Sequence, residues 1–244
     1  MGGACICVTI YSMDILILGG TVFLGRYLVT AARDAGHTVT LFNRGKSNPD
    51  LYPDIERLVG DRDGGLDVLR GRRWDAVIDT RGYVPRLVRD SAELLKDAIG
   101  HYTFISTISV YSTFDKTDIN EQDPVGRLDD ETVEQITGET YGPLKALCEE
   151  AVEVVLPGRT LNIRPSLIVG PHDPTDRFAY WPYRTAQGGN VVAPGRQESK
   201  LQFIDVRDLA EWTIRMVEAG GTGVYNATGP DPPVAMQDLL EACV

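Results

Sequence analysis

Residues 14–25 read Asp-Ile-Leu-Ile-Leu-Gly-Gly-Thr-Val-Phe-Leu-Gly, and they carry the strongest structural signal in the chain. An apolar run that ends in two glycines is typical of a buried parallel strand followed by a tight turn. Apolar residues at helical spacing come next, at Leu24, Leu28, Ala31, Ala32 and Ala35. Gly36 then ends the helix, and the β-branched and aromatic residues 38–42 form a second strand. The segment therefore predicts a β-α-β unit.

The same alternation continues along the chain. It predicts strands at residues 57–59, 76–78, 102–106 and 161–164, and helices at residues 86–98 and 140–155. Residues 112–137 are polar and acidic, which predicts an excursion over the surface. Strands that alternate with helices favour an α/β fold, here a Rossmann-type doubly wound parallel sheet.

Composition divides the chain into three parts. Residues 1–13 precede the first strand and form an N-terminal extension, and residues 14–165 form the Rossmann domain. After Pro165 prolines and glycines become dense, which predicts a small lobe at residues 166–244 over the binding site. Final Rossmann elements are interleaved with this lobe: a helix at residues 208–219, a strand at 224–226 and a helix from residue 236.

Charge and cysteine content restrict the possible partners. The formal charge of −11 repels phosphate backbones and anionic membranes, so nucleic acid is disfavoured. No run is long enough to cross a membrane, and no secretory leader is recognisable. The spacing of the four cysteines fits no disulfide framework, which favours a reducing cytoplasm. The three histidines are scattered, so no metal site is expected.

The glycine-rich turn has the composition of a dinucleotide phosphate site. Such a site needs a tight turn, close backbone approach and the positive end of a helix dipole. Gly19 and Gly25 occupy the outer positions of a G-x-x-G-x-x-G spacing, while Val22 stands at the middle one. The residues predicted to contact the cofactor here are Gly19, Thr21, Phe23, Leu24 and Gly25. The alternative is a turn that only ends the strand.

The ends of the next strands offer further cofactor contacts. Asn43 and Arg44 end the second strand, where Arg44 favours a 2′-phosphate and hence NADP over NAD. Its alternative is an ordinary solvated charge. Asp61 follows the third strand, where it is a candidate for the adenine edge or for capping a turn. Asp79 ends the fourth strand and is equally a cofactor contact or a cap.

Tyr141 and Lys145 are four residues apart and share one face of a predicted helix. Hydride transfer at a carbonyl or carbinol carbon needs a proton donor or acceptor, and a nearby ammonium lowers the phenol pKa. Thr107, at the end of the fifth strand, is the preferred third member of this set, and Ser106 and Ser109 are further hydroxyls nearby. The alternative for Tyr141 and Lys145 is a pair on the helix surface.

These motifs together resemble the extended short-chain dehydrogenase/reductases, that is, the NAD-dependent epimerase/dehydratase family. The quoted stretches are Gly-Gly-Thr-x-Phe-Leu-Gly, Ser-Thr-Ile-Ser-Val-Tyr, Tyr-Gly-Pro-Leu-Lys and Phe-Ile-Asp-Val-Arg-Asp-Leu-Ala. The chain is most similar to the atypical branch that includes chloroplast stem-loop-binding-like proteins. The resemblance implies that Thr107 and Tyr141 hold the substrate oxygen and Lys145 the ribose, with Pro165 beside the nicotinamide.

Two departures from the family bear on the substrate. Leu201 stands where nucleotide-sugar epimerases have an arginine, so we expect a small molecule, sugar-like but not a nucleotide sugar. The predicted substrate contacts are Ser109, Arg177, Trp181 and Arg184, although Arg177 and Trp181 could equally anchor the lobe. Family members continue beyond the last predicted helix, so the C-terminal lobe is expected to be truncated.

Two functions follow as hypotheses. One is an NAD(P)-dependent oxidoreductase or epimerase with a Thr-Tyr-Lys site. The other is a non-catalytic member of the same fold that senses a dinucleotide or binds RNA or another partner. A homodimer through the helix that carries Tyr141 is a further expectation.

Overall fold

A computed structural model describes residues 12–244. Most of the predicted N-terminal extension, with Cys5 and Cys7, lies outside the described residues. The described part of the chain contains eleven strands: β1 (Asp14–Leu18), β2 (Thr38–Asn43), β3 (Glu56–Val59), β4 (Ala76–Asp79), β5 (His101–Ile105), β6 (Thr160–Pro165), β7 (Leu167–Val169), β8 (Lys200–Leu201), β9 (Phe203–Asp205), β10 (Gly223–Ala227) and β11 (Val234–Ala235). The six α-helices are α1 (Leu24–Asp34), α2 (Pro85–Leu95), α3 (Tyr141–Val155), α4 (Tyr180–Ala186), α5 (Val206–Glu218) and α6 (Met236–Ala242).

Seven of these strands form one sheet in the order β10-β6-β5-β4-β1-β2-β3. Every neighbouring pair in it is parallel. The predicted doubly wound α/β sheet is confirmed. Strand order reverses around β1, which lies between β2 and β4, and the carboxyl ends of strands at such a reversal form a ligand-binding crevice.

Helices cover the sheet on both faces, which explains why β1 is apolar throughout. Ile15 and Ile17 pack towards α1 and α5, while Leu16 and Leu18 pack towards α2 and α3. Adjacent side chains of a strand point to opposite faces, so a strand covered on both sides has no polar position. This arrangement fixes β1 and hence the glycine turn that follows it.

The part after β6 is built differently. β7 pairs with β9, and β8 pairs with β11, in two separate two-stranded sheets. Helix α4 has no buried residue. The chain also returns to the main sheet, because α5 packs against α1 and β10 pairs with β6.

The sequence-predicted bounds are close to the observed ones for the long elements. Helix α2 was expected at residues 86–98 and ends earlier, at Leu95. Four short strands (β7, β8, β9 and β11) and helix α4 were not predicted. Among residues 12–244, no helix has the length and apolar character needed to span a membrane.

Candidate cofactor and catalytic site

A cavity of about 650 Å³ lies along the carboxyl ends of the central strands. This volume is within the range of roughly 300–1,000 Å³ typical of small-molecule sites. The acidic chain presents a basic surface here, because six cationic side chains line the cavity against two carboxylates. The cations are Arg44, Lys46, Arg62, Arg81, Lys145 and Arg177, and the carboxylates are Asp61 and Asp173.

The glycine turn forms one wall of this cavity. Gly19 and Gly20 have φ values of +122° and +91°, a region that side chains with a Cβ rarely adopt. A Cβ on Gly25 would lie 2.8 Å from the backbone of Gly20, so Gly25 lets α1 pack closely on the turn. No side chain caps the N-terminus of α1. Its first amides therefore remain available to an anion in the cavity.

Asn43 holds the turn in place. Its side-chain amide donates to the Gly19 carbonyl at 2.9 Å, and its Oδ1 accepts from the Gly45 amide at 2.9 Å. Asn48 similarly donates to the Thr21 carbonyl at 2.7 Å. Asn43 lines the cavity as predicted for a cofactor contact, but its side-chain hydrogen bonds tie β2 to the turn after β1.

The predicted contact Arg44 is exposed at the rim of the cavity. Lys46 and Ser47 line the same end and were missed by sequence reasoning. The run Arg44-Gly45-Lys46-Ser47 is itself a basic, hydroxyl-bearing signal that could have identified them. Together these side chains form a cationic edge at the end of β2.

Asp79 does not line the cavity but lies beneath it, fully buried. It accepts two hydrogen bonds from Arg62, at 2.9 and 2.6 Å, and one from the Tyr102 hydroxyl at 2.9 Å. Burial alone raises the pKa of a carboxyl, but the charge and hydrogen bonds of Arg62 outweigh it and hold the pKa of Asp79 below its usual value.

The capping alternatives for the two aspartates agree with the geometry. Asp79 Oδ1 accepts from the Arg81 amide at 3.0 Å, and Asp61 Oδ1 accepts from the Asp63 amide at 3.1 Å. Asp61 is exposed and lines the cavity. Arg62 also lines it and was missed, because its pairing with Asp79 joins two elements without any local sequence pattern.

Thr107, Tyr141 and Lys145 all line the far end of the cavity, as the resemblance implied. Thr107 Oγ1 accepts from the Ser109 amide at 3.1 Å, which orients the hydroxyl. Burial raises the pKa of Tyr141, and the nearby Tyr83 adds to this effect, while hydrogen bonding with Thr107 and the charge of Arg177 oppose it. The expected lowering of the phenol pKa is therefore not found.

Lys145 is buried and held by backbone carbonyls. Its Nζ donates to Gly82 at 2.6 Å and to Ile105 at 2.7 Å, and it lies 4.1 Å from the centroid of the Phe104 ring. Burial lowers the pKa of Lys145 to about 8, since a charged ammonium is disfavoured away from water. Two of its three donors are thus committed, and one remains.

Two buried hydroxyls at this end have no hydrogen-bond partner among residues 12–244. They are Ser106 Oγ and Ser166 Oγ, and both residues line the cavity beside Pro165. Buried polar groups are nearly always hydrogen-bonded in folded proteins. These two hydroxyls are therefore free to bond a polar group in the cavity, of an ordered water or of a ligand.

The predicted substrate residues separate in space. Ser109 and Arg177 line the cavity, whereas Trp181 and Arg184 do not. Arg184 donates to the carbonyls of Gly188 and Asn190 at 2.9 and 2.7 Å, so it stabilises the chain that follows α4.

Comparison with known sequences identifies relatives. A model of the NAD dependent epimerase/dehydratase family matches residues 15–228. The chloroplast stem-loop binding protein of 41 kDa b from Arabidopsis thaliana is 27% identical over 256 aligned positions. The match covers 94% of this chain and 62% of that relative, so the chain spans less than two thirds of the relative's length.

Solved structures have the same fold at low sequence identity. The Bordetella bronchiseptica enzyme WbmG, in complex with NAD, matches with a TM-score of 0.78 at 17% identity, covering 98% of this chain and 79% of that one. UDP-N-acetylglucosamine 4-epimerase from Bacillus cereus matches with a TM-score of 0.72 at 20% identity, covering 94% and 84%. The fold, the motifs quoted above and the family match agree, and the chain belongs to the NAD dependent epimerase/dehydratase family.

Proposed function

We propose that this protein is an NAD(P)-dependent oxidoreductase or epimerase that prefers NADP and acts at a carbinol or carbonyl carbon of a small molecule. The observation that carries the proposal is the convergence of Thr107, Tyr141 and Lys145 on the cavity that the glycine turn also lines. The hydride comes from or goes to the nicotinamide when the cofactor is bound.

The residues of the cavity fit a dinucleotide. The glycine turn and the uncapped N-terminus of α1 supply amide donors for the pyrophosphate. Arg81 lines the cavity with its aliphatic stem beside Gly19, and its guanidinium carbon lies 5.8 Å from the centroid of the Tyr83 ring. At the other end, the unpartnered hydroxyls of Ser106 and Ser166 suit the carboxamide of the nicotinamide. The remaining donor of Lys145 suits the ribose.

The preference for NADP rests on the cationic edge at the end of β2. Arg44, Lys46 and Ser47 line the cavity there, and the strand ends in Asn43 rather than in a carboxylate. A guanidinium fork binds a phosphate through paired hydrogen bonds, whereas an acidic residue would repel it.

Tyr141 is the proposed proton donor and acceptor. Its pKa is raised, so the phenol is protonated at neutral pH and can donate to a carbonyl oxygen in the reductive direction. Thr107 orients the same oxygen through its hydroxyl, which the Ser109 amide already fixes. The reverse reaction needs the phenolate, which hydrogen bonding with Thr107 and the charge of Arg177 favour against the effect of burial.

The proposed substrate is sugar-like but not a nucleotide sugar. Leu201, which stands in place of the family arginine, lies in β8 and pairs with Val234 of β11. An apolar side chain there offers no donor to a diphosphate.

Titration of the full chain with NADPH and with NADH tests the cofactor assignment. We expect Arg44→Gln to weaken NADPH binding by about 10- to 100-fold, since a hydrogen bond to a charged group contributes about 1.5–3 kcal/mol, and to leave NADH binding unchanged. Arg70→Gln, an exposed arginine that pairs with Asp67, is the matched control. Binding of neither dinucleotide by the unmodified chain would contradict the whole proposal.

Turnover tests the catalytic assignment. Hydroxy and keto sugars are screened by NADPH absorbance, and Tyr141→Phe is compared with the unmodified chain on any substrate found. We expect retained NADPH affinity and a turnover reduced by about 10²- to 10⁴-fold, the usual contribution of general acid–base catalysis. Unchanged turnover would remove Tyr141 from the mechanism.

A second candidate function is RNA binding, which the name of the Arabidopsis thaliana relative favours. The net charge of −11 opposes it. A salt-sensitive complex with an RNA stem-loop at physiological ionic strength would support this candidate, and its absence would leave the enzyme proposal alone.

A further inference from the structure

Arg177 is a cation of the substrate end of the cavity, separate from the cationic edge at the end of β2. It lies between β7 and α4 and lines the cavity together with Tyr141 and Ser109. Arg177 is close enough to Tyr141 to affect its ionisation. The positive charge of Arg177 lowers the pKa of the Tyr141 phenol, whereas burial raises it.

A short hydrogen-bonded chain orients the Arg177 guanidinium. Thr175 donates through its hydroxyl to Asp173 Oδ1 at 2.6 Å, and the Thr175 amide donates to the same oxygen at 2.9 Å. Arg177 Nε in turn donates to Thr175 Oγ1 at 2.9 Å. Only Nε is used in this arrangement, so the terminal nitrogens of the fork remain for another acceptor.

Among the described residues, no carboxylate bonds directly to this exposed cation. Two largely buried arginines of the fold are paired with carboxylates, Arg62 with Asp79 and Arg164 with Glu149. Within residues 12–244, Arg177 takes part in no such ion pair. Asp173, in the same cavity lining, reaches Arg177 only through Thr175, and its buried Oδ2 has no hydrogen-bond partner among residues 12–244.

The cofactor's phosphates have other binding groups. The proposed function assigns them to the glycine turn and the cationic edge (Arg44, Lys46 and Ser47). A guanidinium fork beside Tyr141 is therefore available to the reacting molecule. Planar forks bind carboxylates and phosphates through two parallel hydrogen bonds.

We infer that the substrate carries an anionic group, a carboxylate or a phosphate, which Arg177 binds beside the carbon whose oxygen faces Tyr141. This inference rests on the proposed function, since it assumes that the reacting molecule occupies that end of the cavity. It narrows the substrate class from sugar-like molecules to sugar acids or sugar phosphates.

Anion binding to the cofactor-loaded chain tests this inference. The full chain is first titrated with NADP⁺ by calorimetry, and malonate or inorganic phosphate is then titrated into the saturated complex. We expect one anion per chain, and the stronger of the two probes identifies the group as carboxylate or phosphate. Arg177→Gln is expected to weaken this binding by about 10- to 100-fold, as for other charge-assisted hydrogen bonds.

Two further variants serve as controls for the position and the shape of the positive charge. Arg196→Gln removes an exposed arginine of the same lobe that does not line the cavity, and should leave anion affinity unchanged. Arg177→Lys retains the charge without the fork and should give an intermediate affinity. Thermal unfolding of each variant verifies that it is folded.

Three results would overturn the inference: no anion binding to the NADP⁺ complex, equal affinity in Arg177→Gln, or displacement of the anion by NADP⁺. Failure of the proposed function itself would appear earlier, as an absence of NADP⁺ binding in the first titration.

Discussion

The glycine turn and the lobe after β6 form opposite walls of one cavity, but different forces hold them. The turn is fixed by left-handed glycines, by Asn43 and by a strand buried on both faces. In the lobe, helix α4 buries no residue and Tyr183 is 70% exposed. The comparison indicates that the wall formed by the turn is shaped by backbone geometry, and the wall formed by the lobe by a few polar side chains. Substitutions that affect only the turn or only the lobe test this difference, and they follow from the largest expected effect to the smallest.

The largest effect is expected beneath the turn. Asp79→Asn leaves the Arg62 guanidinium buried without its counterion, and removal of one partner of a buried ion pair costs about 3–5 kcal/mol. Urea unfolding measures the change. Asp67→Asn breaks the exposed pair with Arg70 and is the control, expected to leave the unfolding midpoint unchanged. Equal effects of the two substitutions would contradict the buried role of Asp79.

Gly25→Ala tests the close approach of α1 to the turn. The added methyl group meets Gly20 backbone at 2.8 Å, and overpacking of this kind costs about 1–3 kcal/mol. We expect lower stability and a loss of NADPH affinity of at least about tenfold, because the phosphate-binding amides move with the helix. Gly138→Ala places its methyl group in open space and should change neither quantity. Normal NADPH binding by Gly25→Ala would show that the turn tolerates displacement.

The pKa of Lys145 predicts a pH dependence. Since burial lowers this pKa to about 8, the ammonium is lost as pH rises above that value, and NADPH affinity should fall by up to about tenfold per pH unit. The contribution to stability has the opposite sign. Between pH about 8 and the ordinary lysine pKa, only the unfolded chain keeps the proton, so this group raises the unfolding free energy with pH.

Titrations with NADPH from neutral to alkaline pH measure this effect. In Lys145→Met we expect the dependence above pH about 8 to disappear, leaving a weaker and flat affinity. A pH profile shared by the variant and the unmodified chain would assign the titration to another group.

The smallest effects are expected when a tyrosine is replaced by phenylalanine, once beneath the turn and once in the lobe. Tyr102→Phe removes the hydroxyl that donates to Asp79 and should lower the unfolding free energy by about 0.5–1.5 kcal/mol. Tyr183→Phe removes an exposed hydroxyl in the lobe and should be indistinguishable from the unmodified chain. A measurable loss of unfolding free energy in Tyr183→Phe would mean that the hydroxyl makes a stabilising contact despite its exposure.

The same contrast explains how much the sequence predicts. The main sheet and helices α1, α2, α3 and α5 follow from local patterns, because each apolar face repeats at the period of its own element. Strand β8 is two residues long and pairs Leu201 with Val234, so no local periodicity identifies it. The lobe is determined by such distant pairings.

The candidate site divides in the same way. Gly19, Gly25, Thr107 and Tyr141 could be proposed from the sequence because turn chemistry and spacing are local properties, and all four line the cavity. Ser106 was already a neighbouring candidate to Thr107, but Ser166 joins it only because β5 and β6 lie side by side, and Arg62 finds its partner only when it meets Asp79. Trp181 and Arg184 were predicted at the substrate but lie outside the cavity lining. The homodimer and the cytoplasmic location stay predictions.

The double hydrogen bond of Asn43 has a consequence for cofactor engineering. Exchanging this residue for aspartate, in order to favour NAD, would remove the donor to the Gly19 carbonyl and place two acceptors against each other. Asn43, the first residue to change for a switch of cofactor, therefore also stabilises the glycine turn. A change of cofactor specificity should therefore be made at Arg44 and Lys46, because their side chains form no hydrogen bond with the turn among the described residues.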